Sequence, residues 1–288
     1  MSRLSFAASA LLLLAVSCSR PAPDKGGNTI TVSILPEKYF VEKIAGDLLE
    51  VNVMIPPGAS PVTWEPSPAA MTRLGSSQMY FRIGKIVFEE VWMKKIAGLN
   101  PGLKIHDLSQ GIAFMTDANG HDHGTGHYGN ADPHIWMSPS NVRIIAGNTF
   151  RLLSAGYPAD TAVFRKNYLT FLSEISAIDS AYQSHASVLN GMSFLIYHPA
   201  LTYLARDYGM NQVVIEYEGK EPPPAHIRDI INLAEKKHIT KIFVQKQFNM
   251  DNAKSLASEI NGKIIPFDPL AENWEMEMYH ILNTIVND

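Results

Sequence analysis

The sequence predicts an α/β fold with two lobes, whose mostly parallel sheets are joined by a long rigid helix and leave a cleft between them. Three observations support this fold class. Short β-rich runs alternate with amphipathic helical stretches from Asn28 onward, which is typical of parallel sheets covered by helices. The alternation occurs in two series, which residues 116–190 separate. Within that stretch, one apolar stripe continues over residues 159–186 and predicts a helix longer than one small lobe requires.

The first series predicts an N-terminal α/β lobe, residues 28–138. Its strand segments are rich in β-branched and aromatic residues, and most are followed by a stretch with helical periodicity. The predicted strands cover residues 29–35, 51–55, 79–83 and 103–106, and the predicted helices cover residues 37–49, 67–74 and 88–97. Residues 116–133 contain three histidines and almost no aliphatic side chain, which predicts a mobile loop within this lobe.

Connecting helices are predicted for residues 139–190. Pro158 marks a break near residue 157, because the residue before a proline disfavours helical geometry. The long helix that follows has an apolar stripe made of Phe164, Tyr168, Phe171, Ile175, Ile178 and Tyr182. At 1.5 Å per residue this helix would be roughly 40 Å long, so we expect it to be shared by both lobes.

The second series predicts a C-terminal α/β lobe, residues 191–288. The predicted strands cover residues 193–196, 212–215, 241–245 and 263–266, and the predicted helices end at residues 208, 237, 260 and 286. Two α/β lobes about one shared helix imply a cleft between them. Small ligands usually bind in such clefts.

Composition narrows the classes of function. The chain has 288 residues, of which 46% are apolar and 18% charged, so it is long enough to bury two cores. A net charge of −4 and a pI near 6.2, without a local basic patch, predict that nucleic acid is not a partner. The single cysteine excludes an intrachain disulfide and a multi-cysteine metal site.

That cysteine, Cys18, ends a segment typical of an export signal. Arg3 precedes an apolar run over residues 7–16, which is too short to span the roughly 30 Å core of a bilayer. The four residues AVSC that end at Cys18 resemble a bacterial lipobox, although leucine stands one position further from the cysteine than usual. We expect residues 1–17 to be a lipoprotein signal peptide, with Cys18 lipidated and residues 18–27 forming a flexible tether. A plain signal peptide is the alternative.

Four short motifs place a turn or a metal-capable side chain near predicted strand ends. They are PPGASP at residues 56–61, DPHIW at 132–136, HPA followed by YLA within 198–205, and DPL at 268–270. Histidine nitrogens and carboxylate oxygens are ordinary ligands of divalent transition metals. Each motif is weak evidence in isolation, and the evidence for a metal site lies in their order and spacing.

In that order, and with the long helix between them, the motifs resemble the zinc- and manganese-binding solute-binding proteins of bacterial ABC importers, the cluster A-I family. The resemblance extends from Ile30 to the last helix. It implies a two-lobe receptor that delivers a metal to an ABC permease and its ATPase. The family's ligands in the DPH motif, at the end of a C-lobe strand and in the DPL motif correspond to His134, His198 and Asp268.

The family's first ligand, a histidine after Ser-Pro, is replaced here by Val62, which has no lone pair. Two imidazoles and one carboxylate still make a reasonable Zn²⁺ site with one open position. Water, Glu65 or the loop histidine His127 are candidates for that position. We favour water or a loop histidine, because the resemblance implies that the WEP segment begins a helix, whose positive end suits Glu65 in an early turn. The alternative is that tight metal binding has been lost.

The remaining histidines of the loop, His121 and His123, extend this resemblance. Together with His127 they resemble the histidine-rich loop of many zinc-specific members, which implies weak metal capture or sensing. A solvated polar loop is the alternative interpretation.

Glu216 and Glu221 precede a predicted helix that begins near Pro224. We interpret them as acids favoured by the positive end of that helix. The alternative is a role behind the metal ligands or against a transporter.

We therefore expect a monomeric, exported, membrane-anchored receptor that faces the periplasm or the cell exterior and is not an enzyme. Zn²⁺ is the expected cargo and Mn²⁺ is less favoured, because two imidazoles suit zinc and the resemblance implies that manganese sites carry more carboxylate. A metal-dependent hydrolase is one alternative, with Glu65 the nominated general base. A non-transport surface adhesin or a paralogue with a degraded site is the other.

Overall fold

Two four-stranded parallel sheets form the framework of the computed structural model, which describes residues 28–116, 131–217, 219–248 and 251–287. The first sheet contains β1 (Thr29–Val32), β2 (Glu50–Val53), β3 (Met79–Arg82) and β4 (Lys104–Asp107), in the order β2-β1-β3-β4. The second contains β5 (Ser193–Ile196), β6 (Asn211–Val214), β7 (Lys241–Gln245) and β8 (Lys263–Phe267), in the order β6-β5-β7-β8. All pairs between these strands are parallel, which confirms the predicted α/β class.

Helices connect these strands. Those of the first sheet are α1 (Leu35–Ala45), α2 (Pro68–Leu74) and α3 (Val87–Leu99), and α4 (Pro139–Gly156) and α5 (Thr161–Ser184) follow in the chain. The remaining helices are α6 (Ala186–Leu189), α7 (Thr202–Tyr208), α8 (Pro224–Lys237), α9 (Asp251–Glu259) and α10 (Trp274–Val286). No helix of the described ranges has the length and apolar character needed to span a membrane.

Serine caps determine where two of these helices begin. The Ser67 hydroxyl accepts the N–H of Ala70 at the start of α2, and the Ser138 hydroxyl accepts the N–H of Asn141 at the start of α4. In both helices the first residue is a proline, whose missing N–H costs nothing at that position. Glu65 therefore lies before α2, and the expectation that it occupies a first helical turn is wrong.

The long helix α5 contacts elements from both halves of the chain. Asn167 donates to the carbonyl of Ile44 in α1 (3.1 Å). Near the other end, the Tyr182 hydroxyl donates to the carbonyl of Met278 in α10 (2.7 Å). The helix has 24 residues and is therefore about 36 Å long. It begins and ends two residues inside the predicted stripe, because residues Pro158–Asp160 form a separate 3₁₀ turn and α6 begins at Ala186.

Two buried tryptophans connect the segment before α4 to the C-terminal helix. The Trp136 indole donates to the carbonyl of Pro269, and the Trp274 indole donates to the carbonyl of Trp136, both at 2.7 Å. The edge of Trp274 also meets the Phe40 ring, with centroids 5.5 Å apart. These contacts fix the DPHIW and DPL segments relative to each other.

Two buried glutamates, one in α1 and one in α3, place their carboxylates at the carboxyl ends of β1 and β3. Glu37 accepts the backbone N–H of Ser33, and Glu89 accepts the Ser33 hydroxyl and the N–H groups of Ile83 and Gly84. Burial raises the pKa of Glu89 to about 7, although these hydrogen bonds oppose the shift. Burial and the nearby Glu89 charge also raise the pKa of Glu37.

Replacing Trp274 by phenylalanine tests the connection between the two tryptophans. Trp274→Phe keeps an aromatic ring but leaves the buried carbonyl of Trp136 without its donor. We expect the free energy of unfolding to fall by about 1–3 kcal/mol, measured by urea denaturation. Trp92→Phe is the matched control, because Trp92 is only half-buried on α3. Equal losses in the two variants would contradict the role assigned to this hydrogen bond.

The buried Glu89 predicts a pH-dependent stability. Its folded pKa of about 7 lies above the value of about 4.3 for an unfolded glutamate. The stabilisation that Glu89 gives the folded state is therefore complete below about pH 4 and is lost as the pH rises towards 7. We expect the stability difference between the wild type and Glu89→Gln to change over this interval and to level off above it. Denaturation curves that differ by a constant amount at every pH would contradict this.

Candidate metal centre

His134 and His198 face each other in a cleft lined by residues from both halves of the chain. His134 follows Pro133 and precedes the 3₁₀ turn Ile135–Met137, and His198 lies two residues beyond the end of β5. Their ring centroids are 5.3 Å apart and the rings are nearly perpendicular. The structure thus brings together two of the three predicted metal ligands.

Asp132 orients the first of these rings. One carboxylate oxygen lies 2.8 Å from Nδ1 of His134 and also accepts the backbone N–H of the same residue. Burial by itself would raise the pKa of Asp132, but the His134 ring and the hydrogen bonds to the carboxylate hold it below its ordinary value. The hydroxyl of Tyr203 donates to the Asp132 carbonyl and fixes this segment further.

Glu216 orients the second ring. Its buried carboxylate lies 2.8 Å from Nδ1 of His198. The side chain of Gln245, at the end of β7, donates to the His198 carbonyl, and the Phe248 ring stacks on the imidazole at 5.5 Å. His198 is therefore held at its backbone, its Nδ1 atom and one ring face.

Each carboxylate accepts a hydrogen bond from Nδ1, so both rings carry their hydrogen on that nitrogen. A neutral imidazole that donates from Nδ1 carries its lone pair on Nε2, which is the nitrogen presented to a metal. Hydrogen-bond partners are the basis for this assignment. Paired imidazole and carboxylate groups of this kind are typical of zinc ligands and the acids behind them.

Asp268 occupies the loop after β8 and its carboxylate is already engaged. One oxygen accepts the side-chain N–H of Gln247 (2.9 Å) and the backbone N–H of Leu270 (3.0 Å). The other oxygen lies 4.0 Å from the ammonium of Lys246. In the described part of the chain, no three His, Cys, Asp or Glu side chains form a group that could hold a metal ion.

The cleft next to the histidines has a volume of about 90 Å³. Val62, which is 51% exposed, lines it together with Lys85 and Glu90. Most of the remaining walls are apolar, from Pro61, Ile86, Val87, Pro133, Trp136, Phe248, Pro269 and Leu270. Glu65 is exposed and is not among the described lining residues. The predicted loop ligands His121, His123 and His127, and the lipidation site Cys18, lie outside the described residues.

Asp132 was not predicted as a partner of the proposed ligand His134, and for Glu216 a role behind the metal ligands was only the alternative interpretation. Asp132 belongs to the DPH motif and precedes its histidine by two residues, so the motif itself carried a signal. Glu216 was interpreted as an acid near the start of a helix, and this is wrong, because α8 begins only at Pro224. Its real position follows from strand register: β5 pairs Ile196 with Val214, and the same offset places His198 beside Glu216.

Comparison with known proteins gives consistent matches. The sequence model of the family described as "Zinc-uptake complex component A periplasmic", ZnuA, matches residues 30–287. The zinc-binding lipoprotein AdcA of Streptococcus pneumoniae serotype 4 is 28% identical over 272 residues, which cover 91% of this chain and 54% of AdcA. A putative metal-binding protein of Chlamydia trachomatis serovar D is 26% identical over 264 residues, which cover 91% of this chain and 92% of that protein. The chain thus spans about half the length of AdcA.

Solved structures show the same fold. A crystal structure of ZnuA has a TM-score of 0.83 and 32% identity, covering 91% of this chain and 98% of that chain. The Zn(II)-bound structure of AdcA from Streptococcus pneumoniae has a TM-score of 0.75 and 24% identity, covering 90% of this chain and 57% of that chain. The second similarity concerns the fold alone.

The tautomer of His198 can be tested without any metal. In metal-free, ¹⁵N-labelled protein at alkaline pH, long-range ¹H–¹⁵N spectra are expected to show the ring hydrogen on Nδ1. Glu216→Ala removes the acceptor, so a population with the hydrogen on Nε2 should appear. Glu235→Ala is the control. It removes an exposed carboxylate of α8 and should leave the His198 spectrum unchanged. An unaltered His198 signal in Glu216→Ala would contradict the assignment.

Proposed function

The chain belongs to the family of the periplasmic zinc-uptake component ZnuA, and on this basis we propose that it is an extracytoplasmic receptor that captures Zn²⁺ for an ABC importer. The observation that carries the proposal is the pair of facing imidazoles, each backed by a buried carboxylate. The receptor would deliver its metal to a membrane permease driven by an ATPase. Binding and release, rather than a chemical reaction on the cargo, would be its activity.

The choice of metal follows from the donors. Imidazole nitrogen suits zinc and other borderline transition ions, whereas Ca²⁺ and Mg²⁺ prefer all-oxygen sites. Asp132 and Glu216 add two buried negative charges close to the rings, which together balance a divalent cation. Relatives whose names state zinc binding support Zn²⁺ over Mn²⁺.

We propose His134, His198 and Asp268 as the protein ligands. Both hydrogen bonds of Asp268 are accepted by the same oxygen, so the other oxygen, 4.0 Å from the Lys246 ammonium, is the one proposed to bind the metal. The loop before His134, with His127 nearest in sequence, or a water molecule is proposed for the position that Val62 does not supply.

Export and anchoring are also proposals. The family description includes the word periplasmic and one relative is named a lipoprotein, which supports export and lipid attachment at Cys18. We propose that the receptor acts as a monomer. A hydrolase would need a base next to metal-bound water, and the nominated Glu65 is exposed and absent from the described cleft lining.

Zinc calorimetry on the mature chain tests the proposed ligands. His134→Ala and His198→Ala are each expected to weaken Zn²⁺ binding by more than the roughly 10–100-fold typical of removing a carboxylate behind a ligand. Asp268→Asn is expected to weaken it as well. His238→Asn is the control, because His238 has a left-handed backbone that asparagine tolerates and lies at the end of α8. Unchanged affinity in both histidine variants would overturn the proposal.

A further inference from the structure

We propose that the cleft binds zinc together with a small amino-acid-like chelator, rather than as a bare ion. Such a chelator carries a carboxylate and an amine or imidazole nitrogen. This inference rests on the proposed function, because it specifies the chemical form of the cargo taken by the same site. Coordination number, space and charge each support it.

The described residues do not complete the coordination of zinc. Zinc takes four ligands in most protein sites. His134 and His198 supply two, and Val62, at the lip of the cleft, supplies none. Asp268 is held by Gln247 and by the backbone of Leu270. The described residues thus leave one position open when Asp268 binds and two when it does not, and the chelator would replace the water or loop histidine proposed for a bare ion. A bidentate chelator suits either number, because zinc also accepts five ligands.

The cleft is larger than a bare ion requires. An ion held about 2.0–2.1 Å from two imidazole nitrogens fills little of the cleft. The cavity measures about 90 Å³, whereas a single water requires only about 10–15 Å³ of such volume. Its walls include Ile86, Phe248 and Leu270, and apolar surfaces pair with the carbon skeleton of an organic ligand rather than with an aquated ion.

The charges of the cleft match those of an amino acid. Asp132 and Glu216 together already match the charge of Zn²⁺, even before Asp268 is counted, so a further anion requires a cation of its own. Lys85 and Glu90 line the wall of the cleft formed by the start of α3 and the residues before it. A lysine ammonium suits the carboxylate of an amino acid, and a glutamate suits its amino group. One basic and one acidic side chain in the same cleft therefore match an amino acid better than a simple anion.

Titration with and without L-histidine tests the inference. The mature chain is titrated with zinc alone and with zinc premixed with an equal amount of L-histidine. Native mass spectrometry then gives the mass of the complex that forms. We expect the premixed zinc to bind at least tenfold more tightly and to give a complex of protein, zinc and histidine in equal numbers. Histidine that instead strips zinc from the protein, with only the zinc adduct detected, would overturn the inference.

Two variants test which groups of the cleft the chelator replaces or contacts. Val62→His supplies the missing ligand on an exposed loop, so we expect tighter binding of zinc alone and loss of the gain from histidine. Lys85→Gln removes the cation that pairs with the chelator's carboxylate. It should lower the gain from histidine severalfold. Lys94→Gln, an exposed lysine on α3, is the matched control. A full histidine gain in both Val62→His and Lys85→Gln would contradict the assignment.

Failure of the inference can be separated from failure of the proposed function. If zinc alone binds tightly through His134 and His198 and histidine only competes for it, the receptor function stands and the chelator is excluded. If neither form of zinc binds, or if His134→Ala and His198→Ala change nothing, both proposals fall.

Discussion

Parallel strand pairing is the constraint on which the candidate site depends. Because all strands of a parallel sheet point the same way, their carboxyl ends meet at one edge, and residues that follow neighbouring strands become neighbours. The pairing of β5 with β6 sets an offset between Ile196 and Val214. Continued for two residues, this offset brings Glu216 to the Nδ1 atom of His198. One acid–imidazole pair of the site therefore follows directly from sheet register.

The other pair depends on local sequence and on the tryptophans. Asp132 binds both the backbone and the ring of His134, which is two residues away, so this pair needs no long-range register. What places it opposite His198 is Trp136, whose indole and carbonyl are bonded to Pro269 and Trp274. The buried hydrogen bonds thus fix His134, the first proposed ligand, relative to the C-terminal helix.

One pair depends on sheet register and the other on local sequence, and this difference explains what the sequence could predict. Strands and helices were recognised because burial on parallel sheets imposes strong periodicity, and α8 and β7 match their predicted bounds. His134 and His198 were recognised through motifs. The partnership of Glu216 with His198 was not, because register depends on the whole sheet and residues 18 positions apart carry no local signal. The engagement of Asp268 with Gln247 was also unpredictable, because it depends on side-chain orientation in a loop.

The buried acids also explain why the cleft would favour a cation. Each carboxylate lies almost entirely out of water, where an ionised group is costly unless it is well paired. An imidazole that is neutral, as metal binding requires, offers each acid a hydrogen bond but no full countercharge. A divalent ion bound at both Nε2 atoms would make the rings stronger donors and would balance both acids at once. In the proposed receptor the electrostatic attraction for the ion would thus come from Asp132 and Glu216, even though valine replaces one of the expected ligands.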